Sequence, residues 1–135
     1  LNAASTVNQT VASLTTPLQF DTINTLYGLG IAFTAPGSTA TITVSGVYQI
    51  TYSAVAGTSS ASTFFTGARI FLNGVEVPGS ASSTTIGPNI VQMLNGQAIV
   101  TVASTPATVQ IIASVPDASF PAQYASASFS IVRLN

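Results

Sequence analysis

The stretch GVYQITYSAVA at residues 46–56 decides the fold class of this chain. Its larger residues recur at every second position and would share one side of an extended chain: Tyr48, Ile50, Tyr52 and Ala54. The other side carries small or uncharged residues: Val47, Gln49, Thr51 and Ser53. Alternation of this kind is typical of a half-buried β-strand. We therefore predict a strand with its tyrosines in the core, whose other side suits either a packed layer or water.

Further strand candidates flank this stretch at near-regular spacing. They cover residues 18–20, 26–34, 39–44, 64–72, 75–77, 86–94, 97–102, 108–115 and 124–134. No segment shows the 3.6-residue period of an amphipathic helix, which argues against βαβ units and a parallel sheet. Many short strands without helices indicate an all-β sandwich of two antiparallel sheets. An immunoglobulin-like sandwich and a jelly roll both fit, and the number of strands favours the jelly roll.

Turn signals separate several of these candidates. Asn73-Gly74 and Asn95-Gly96 each lie between apolar runs. Asn-Gly is the strongest short hairpin signal because both residue types tolerate positive φ. We predict a β-hairpin at each pair.

The first sixteen residues mix Ala, Ser, Thr and Asn with single apolar residues and show no clean period. We predict that residues 1–16 form an extended lead-in from an upstream stalk and that residues 17–135 form a single jelly-roll domain. Pro17 suits the start of an edge strand, where a missing backbone donor is tolerated. The chain has no cysteine, and a domain of this length can bury a core without disulfides.

Charged residues are unusually rare. They amount to 4% of the sequence, against about 25% in a typical soluble domain, and comprise Asp21, Arg69, Glu76, Asp117 and Arg133. Two cations cannot neutralise a run of phosphates or form a polybasic membrane patch, and no apolar run is long enough to cross a membrane. We therefore expect neither nucleic-acid binding nor membrane insertion. The mean hydropathy of +0.55 indicates a subunit whose apolar surface is covered by copies of itself.

The residue types needed for most catalysis are missing. Without His, Cys or Lys the chain can form neither a catalytic triad nor a Schiff base. Two of the three carboxylates could in principle form an acid–base pair for glycoside hydrolysis. However, Asp21, Glu76 and Asp117 lie in separate loops or strand edges. Calcium prefers about 6–8 oxygen ligands, which these carboxylates supply only with help from carbonyls or symmetry-related copies. We predict no enzyme activity, no bound metal and no cofactor.

Two stretches taken together resemble a known family. GVYQITYSAVAG at residues 46–57, followed by RIFLNGVEVPGS at residues 69–80, is similar to the C-terminal domain of BclA-type collagen-like glycoproteins of the spore exosporium. The signature positions are Gly46, Tyr48, Ile50, Tyr52, Asn73, Gly74, Pro78 and Gly79. The similarity covers about residues 44–135, since IGPNIV at 86–91 and ASASFSIVRL at 125–134 also fit the order of the family.

The resemblance implies a jelly roll related to the globular heads of complement component q and tumour necrosis factor. It implies a homotrimer at the distal end of a collagen triple helix, where the head aligns three chains and forms the outer adhesive or barrier surface of the spore. Gly-x-y repeats would then precede Leu1. The implied location is extracellular, on the exosporium, and the implied partners are further copies of the chain, with host surface proteins or glycans as candidates.

The aromatic residues outnumber what one inward face requires. We expect Tyr48, Tyr52 and Phe129 in the core. Our candidates for the trimer interface are Phe65, Arg69, Phe71, Phe120, Tyr124 and Arg133, because aromatic and arginine side chains are enriched in interfaces. Filling the inner face of the second sheet explains the aromatic candidates equally well. Either arginine could pair with a carboxylate of another subunit, or could be an exposed charge at a sheet edge.

Two other functions remain open from the sequence. A receptor- or carbohydrate-binding tip of a viral or phage fibre would use the same fold, and its aromatic and hydroxyl side chains could stack on and bind sugars. A hydrolase with an unrecognised pair of carboxylates is a formal competitor.

Overall fold

The computed structural model describes residues 1–135 and contains thirteen β-strands and no helix. In chain order they are β1 (Asn2–Ser5), β2 (Gln9–Val11), β3 (Thr16–Pro17), β4 (Thr22–Thr25), β5 (Ile31–Ala32), β6 (Ala40–Ile42), β7 (Gly46–Gly57), β8 (Phe64–Leu72), β9 (Val75–Glu76), β10 (Ser82–Ile86), β11 (Gln92–Val102), β12 (Ala107–Ser114) and β13 (Ala122–Arg133). No helix of membrane-spanning length and apolarity occurs.

The strands form two antiparallel sheets that pack face to face. Sheet 1 has the order β11-β7-β13-β1-β4, with β2 also paired to β13. Sheet 2 has the order β10-β8-β12-β6-β5, with β3 paired to β12 and β9 to β8. The long strands alternate between the sheets along the chain, as β7 lies in sheet 1 and β8 in sheet 2. This arrangement confirms the predicted jelly-roll sandwich.

The predicted inward side of β7 faces the space between the sheets. Tyr48, Ile50, Tyr52 and Ala54 are at most 4% exposed, because an extended strand points alternate side chains to opposite faces. The outward residues of β7 are only half-buried in a single chain. The strand therefore contributes one side to the core and leaves the other available.

Phe129 of β13 lies within a cluster of three core aromatic rings. Its ring centroid is 4.4 Å from that of Phe20 and 5.7 Å from that of Phe33, and all three side chains are buried. Tilted and edge-to-face pairs of this kind add about 0.5–1.5 kcal/mol beyond their area burial. The assignment of Tyr48, Tyr52 and Phe129 to the core is confirmed.

The segment predicted as a lead-in, residues 1–16, is part of the sandwich. β1 lies between β13 and β4 and pairs with both, while β2 pairs with the start of β13. Ala3 and Val11 are fully buried. The prediction of a separate lead-in is wrong because β1 uses small residues, NAAS, whose burial leaves little hydrophobic alternation in the sequence.

Of the two predicted Asn-Gly hairpins, the structure contains one. Asn73 and Gly74 connect β8 to β9 with φ angles of 51° and 77°, the positive values that a two-residue hairpin of this type requires. Asn95 and Gly96 lie inside β11, where Gly96 pairs with Tyr52 of β7. The prediction of a second hairpin is therefore wrong, and residues 92–94 and 97–102, predicted to lie in two different strands, belong to the single strand β11.

The strand predicted over residues 26–34 is mostly a loop. Only β5 is extended, and Tyr27 and Leu29 are 90% and 95% exposed. Gly28 and Gly30 both have positive φ, which interrupts a strand conformation. The exposed apolar residues of this segment, Tyr27 and Leu29, therefore do not contribute to the core.

A β-bulge changes the phase of β13. The pairing with β7 shifts between Tyr124 and Ser126, which leaves Ala125 without a partner. An extra residue of this kind changes which positions face the core. Tyr124 and Phe129 are consequently both buried although five positions separate them, whereas simple alternation counted back from Phe129 places Tyr124 outside.

Candidate functional site

The outward side of sheet 1 is a continuous uncharged surface, here called the hydroxyl face. Strand partners in register place their side chains side by side on one face. Across β11, β7, β13 and β1, the two central rows are Asn95–Ser53–Ser128–Ala4 and Gln97–Thr51–Ser130–Asn2. The Ser53 and Ser128 hydroxyl oxygens are 3.0 Å apart. The centre of this face is therefore lined by small hydrogen-bonding groups.

Apolar side chains border these central rows on both sides. The flanking rows are Met93–Val55–Ser126 and Ile99–Gln49–Val132. Met93 and Ile99 are 65% and 66% exposed, and Val132 is 49% exposed. These side chains add exposed apolar area at the two borders of the face, and exposed apolar area marks interaction surfaces. Because none of the four rows contains a charge, a second protein can cover the hydroxyl face without desolvating an ion.

Exposed apolar residues continue from the hydroxyl face around an edge of the sandwich. Ile90 and Val91, in the turn before β11, are 37% and 67% exposed, and Met93 follows them on the hydroxyl face. This edge is formed by β10 of sheet 2 and β11 of sheet 1. A cyclic trimer joins two different surfaces of each subunit, and this edge is a second uncharged surface beside the first.

The residues predicted for a trimer interface do not share one surface. Phe65, Arg69 and Phe71 occupy alternate positions of β8 and line the outward side of sheet 2. Phe120 precedes β13 and is partly buried, whereas Arg133 is exposed at the end of β13, an interior strand of sheet 1. The Phe120 ring packs on the core residue Phe64 with centroids 5.4 Å apart.

Tyr124 has no role at an interface because it is fully buried within the single chain. Its hydroxyl oxygen lies 2.8 Å from Thr66 Oγ1 and 3.1 Å from the Gly67 carbonyl oxygen, both on β8. Burial raises the pKa of Tyr124 to about 12, against the opposing effect of the Thr66 hydrogen bond. Tyr124 is instead a polar link between sheet 1 and sheet 2, and the interface prediction for it is wrong.

Tyr52 forms a second polar link between the sheets. Its hydroxyl oxygen lies 2.7 Å from the Ala68 carbonyl oxygen and 2.8 Å from that of Ser80, with Ser82 Oγ at 3.0 Å. Burial raises its pKa, and the Ser82 hydrogen bonds partly oppose this rise. A buried carbonyl without a partner is costly, so the Tyr52 hydroxyl stabilises the fold.

Arg69 is held by contacts within its own chain. Its Nη2 donates to the Leu14 carbonyl oxygen at 3.1 Å, and its Nη1 donates to Ser114 Oγ at 3.4 Å. The guanidinium carbon lies 5.4 Å from the Phe71 ring centroid, and Nε lies 3.9 Å from Glu76 Oε1. Partly exposed ion pairs contribute about 0–1 kcal/mol. Glu76 thus competes within the chain with any carboxylate of another subunit for pairing with Arg69.

The remaining signature residues also have structural roles. Gly46 lies against Arg133, whose Nε would be 2.9 Å from a Cβ at position 46. Arg133 Nη2 donates to the Ser45 carbonyl oxygen at 3.0 Å. The Pro78-Gly79 turn leads into a fully buried serine.

That serine, Ser80, connects β8 to the turn after β9. Its Oγ accepts a hydrogen bond from the Ile70 amide at 3.0 Å and donates one to the Val77 carbonyl oxygen at 2.7 Å. The sequence LNGVEVPGS thus specifies a hairpin and its anchor.

The three carboxylates have separate local partners. Asp21 accepts hydrogen bonds from the Thr6 amide at 3.0 Å and from Thr6 Oγ1 at 2.7 Å, and these bonds lower its pKa. Asp117 accepts a hydrogen bond from the Ser119 amide at 2.7 Å, and Glu76 faces Arg69. No group of three or more acidic, histidine or cysteine side chains converges on one point.

Comparison with known proteins identifies the fold. No protein-family profile and no curated protein sequence matches this chain. The globular domain of zebrafish complement 1qA protein is similar, with a TM-score of 0.67 and 15% sequence identity over 99% of this chain and 95% of that chain. Rabbit GITRL is similar with a TM-score of 0.51 and 13% identity over 78% and 77%. The chain therefore has a jelly roll of the complement-q and tumour-necrosis-factor type.

Proposed function

We propose that this chain is the non-enzymatic globular head of an extracellular homotrimer, with the hydroxyl face buried between subunits. The observation that carries the proposal is the lack of charge in four adjacent rows of sheet 1, together with the exposure of Met93, Ile99 and Val132. Burial of such groups against a like surface is favourable, because apolar area leaves water and the hydroxyls find new partners. The β10–β11 edge supplies the second surface that a cyclic trimer needs.

We further propose, on the sequence resemblance, that the head ends a collagen-like stalk at the exosporium of a spore. A collagen triple helix requires three chains in register with Gly at every third position. A trimeric head tethers its three stalk chains at an effective concentration in the mM range or above. This would favour nucleation of the stalk and leave the heads as the outer adhesive or barrier surface, with host proteins or glycans as candidate partners.

The mass of the purified domain in solution tests the assembly. Light scattering should give three times the chain mass of 13.6 kDa, about 41 kDa. A single species at the mass of one chain, at concentrations up to the mM range, would rule out the trimer.

Charge placed on the hydroxyl face locates the interface. Ser53→Arg and Ser128→Arg each put a guanidinium in the central rows, where burial of an unpaired charge is strongly unfavourable. Both variants should be monomeric. Thr108→Arg is the matched control, because Thr108 is exposed on β12 of sheet 2, and this variant should remain trimeric. A trimeric Ser53→Arg variant with a monomeric Thr108→Arg variant would instead place the interface on sheet 2.

A fused stalk tests the proposed role in alignment. A tract of about ten Gly-Pro-Pro triplets joined to the head should form a triple helix faster and melt at a higher temperature than the same tract joined to the Ser53→Arg head. Equal folding rates and melting temperatures would contradict an aligning role.

A further inference from the structure

We propose that a groove on the outward side of sheet 2 binds a saccharide, with the ring of Phe65 as its stacking platform. The groove lies on the opposite sheet from the hydroxyl face, so covering that face alone leaves the groove open; Ser83 lies on β10, beside the second surface of the proposed trimer. The proposed site thus goes beyond assembly of the head and does not depend on it. Its principal lining residues are Leu14, Phe65, Gly67, Arg69, Ser83 and Ser114.

A missing side chain creates the groove. Phe65, Gly67 and Arg69 alternate outward along β8, and Gly67 pairs with Ser83 of β10 on one side and with Ser114 of β12 on the other. A Cβ on Gly67 would lie 2.9 Å from the Ser82 carbonyl oxygen, 3.4 Å from Ser83 Cβ and 3.7 Å from Ser114 Oγ. The gap over Gly67 is therefore bordered by two hydroxyl-bearing residues, one from each neighbouring strand.

The dimensions of the gap suit a small saccharide. Phe65 and Arg69 are four residues apart on one strand, or roughly 13 Å, and the strands of Ser83 and Ser114 are two spacings apart, or roughly 10 Å. The groove encloses about 260 Å³. It is an open, shallow depression with room for one or two sugar rings.

The groups around the gap match the two kinds of surface on a sugar ring. The Phe65 side chain is 67% exposed, although aromatic rings are strongly favoured in contact with apolar surface. The C–H face of a pyranose ring can cover such a ring. The hydroxyl groups of Ser83 and Ser114 can donate to and accept from the sugar hydroxyls, which are themselves both donors and acceptors.

Arg69 adds oriented donors at the far end of the groove. Its guanidinium has five N–H groups, of which the Leu14 carbonyl oxygen and Ser114 Oγ accept two. The contacts with Phe71 and Glu76 hold the side chain in place before a ligand arrives. Because Glu76 faces this cation, the groove carries little net charge, which favours a hydroxyl-rich ligand over a highly charged polymer.

A glycan array tests the proposal, with neutral and uronic-acid-containing mono- and disaccharides as probes. We expect the wild-type domain to bind at least one probe. Phe65→Ala should weaken binding roughly tenfold, since about 1.4 kcal/mol of stacking corresponds to this factor. Phe65→Trp keeps a platform and should bind. Tyr27→Ala is the matched control, because Tyr27 is 90% exposed on a loop that does not line the groove.

A titration with the strongest probe, monitored by the backbone amide signals in NMR, locates the site. The amides of Gly67, Ser83 and Ser114 should shift, and those of the hydroxyl face should not. The monomeric Ser53→Arg variant separates the two proposals, because it should keep the single-site affinity and lose only the avidity of a trimer. Absence of binding across the array, or binding equal in wild type and Phe65→Ala, would overturn the groove proposal whatever the oligomeric state.

Discussion

Tyr52 lies over Gly96, its partner on the neighbouring strand, and the missing side chain of Gly96 makes room for the tyrosine ring. A Cβ at position 96 would lie 2.6 Å from the Tyr52 hydroxyl oxygen, 2.7 Å from its Cε1 and 2.6 Å from the Ser80 carbonyl oxygen. The Tyr52 side chain passes over Gly96, and its hydroxyl group reaches the carbonyl oxygen of Ala68 in sheet 2 and that of Ser80 in the turn before β10. The glycine in the Asn95-Gly96 pair thus serves packing between strands.

We predict that Gly96→Ala destabilises the domain by about 2–3 kcal/mol, within the usual range for overpacking a core. The added methyl group meets the Ser80 carbonyl oxygen, which cannot move aside without disturbing its hydrogen bond with the Tyr52 hydroxyl. The free energy of unfolding in urea measures the effect.

Gly57→Ala is the matched control for this substitution. Gly57 also lies in sheet 1, but a Cβ there would be 3.6 Å from Val91 Cγ2, an ordinary contact distance. The free energy of unfolding of the Gly57→Ala variant should differ from that of wild type by less than about 0.5 kcal/mol. Equal effects of the two substitutions would mean that strand propensity, rather than the Tyr52 contact, determines the cost at Gly96.

The same pair of residues shows what the sequence could and could not predict. Alternation along residues 46–56 was sufficient to place Tyr52 in the core, since burial on one face of a strand is a local property. The position of Gly96 inside β11 depends on its pairing with Tyr52, about forty residues away in the sequence. The residue types of a local turn signal give no information about such a distant pairing. The local Asn-Gly signal was therefore correct at Asn73 and wrong at Asn95.

Tyr124 gives a second prediction, because its buried hydroxyl links the two sheets. Tyr124→Phe should destabilise the domain by about 1–3 kcal/mol at pH 7, the usual cost of a lost buried hydrogen bond. The pKa of Tyr124 is raised from 10.0 to about 12 by burial. Its protonated form is thus favoured in the folded state, and its contribution is complete below pH 10 and lost as the pH rises toward 12.

Alkaline unfolding measures this linkage. A difference of about two units between the pKa of Tyr124 in the unfolded and folded states corresponds to about 2–3 kcal/mol of stability. The wild type should therefore lose more stability between pH 10 and 12 than Tyr124→Phe. Tyr27→Phe is the control for removal of a tyrosine hydroxyl, because Tyr27 is 90% exposed and this variant should keep the stability of wild type at pH 7. Parallel profiles for wild type and Tyr124→Phe would argue against a buried, protonated Tyr124.

The hairpin between β8 and β9 gives a third prediction. Gly74 has a φ of 77°, and no atom lies within 4 Å of the position that a Cβ would occupy, so only backbone conformation opposes a side chain there. Gly74→Ala should cost about 1 kcal/mol, the penalty for a left-handed conformation. Gly74→Asn should cost less, because Asn tolerates this region. Thermal unfolding compares the two, and equal melting temperatures would contradict a conformational origin.

The candidate surfaces illustrate a limit of sequence analysis. Burial of Tyr124 follows from the bulge at Ala125, which shifts the phase of β13, and a bulge of this kind has no reliable sequence signal. The hydroxyl face consists of Ser, Thr, Asn and Gln rows that come together only through the register of four strands. The aromatic side chain of Phe65 was enough to make it a candidate interface residue from the sequence. The gap beside it depends on the neighbours of Gly67 in two other strands.

Asp21 gives a fourth prediction, about acid stability. Hydrogen bonds from the Thr6 side chain and amide lower its pKa below the ordinary value of 3.8, so the ionised carboxylate is favoured in the folded state. Its contribution is therefore present above pH 3.8 and is lost as the pH falls through the lowered pKa. Asp21→Asn should melt at a lower temperature than wild type at pH 7, and the difference should shrink as the pH falls below 3.8 and through the lowered pKa of Asp21. A difference in melting temperature that stayed constant from pH 7 to pH 2 would contradict this prediction. The hydrogen bonds between Thr6 and residue 21, which join the ends of β1 and β4, would then not depend on ionisation of Asp21.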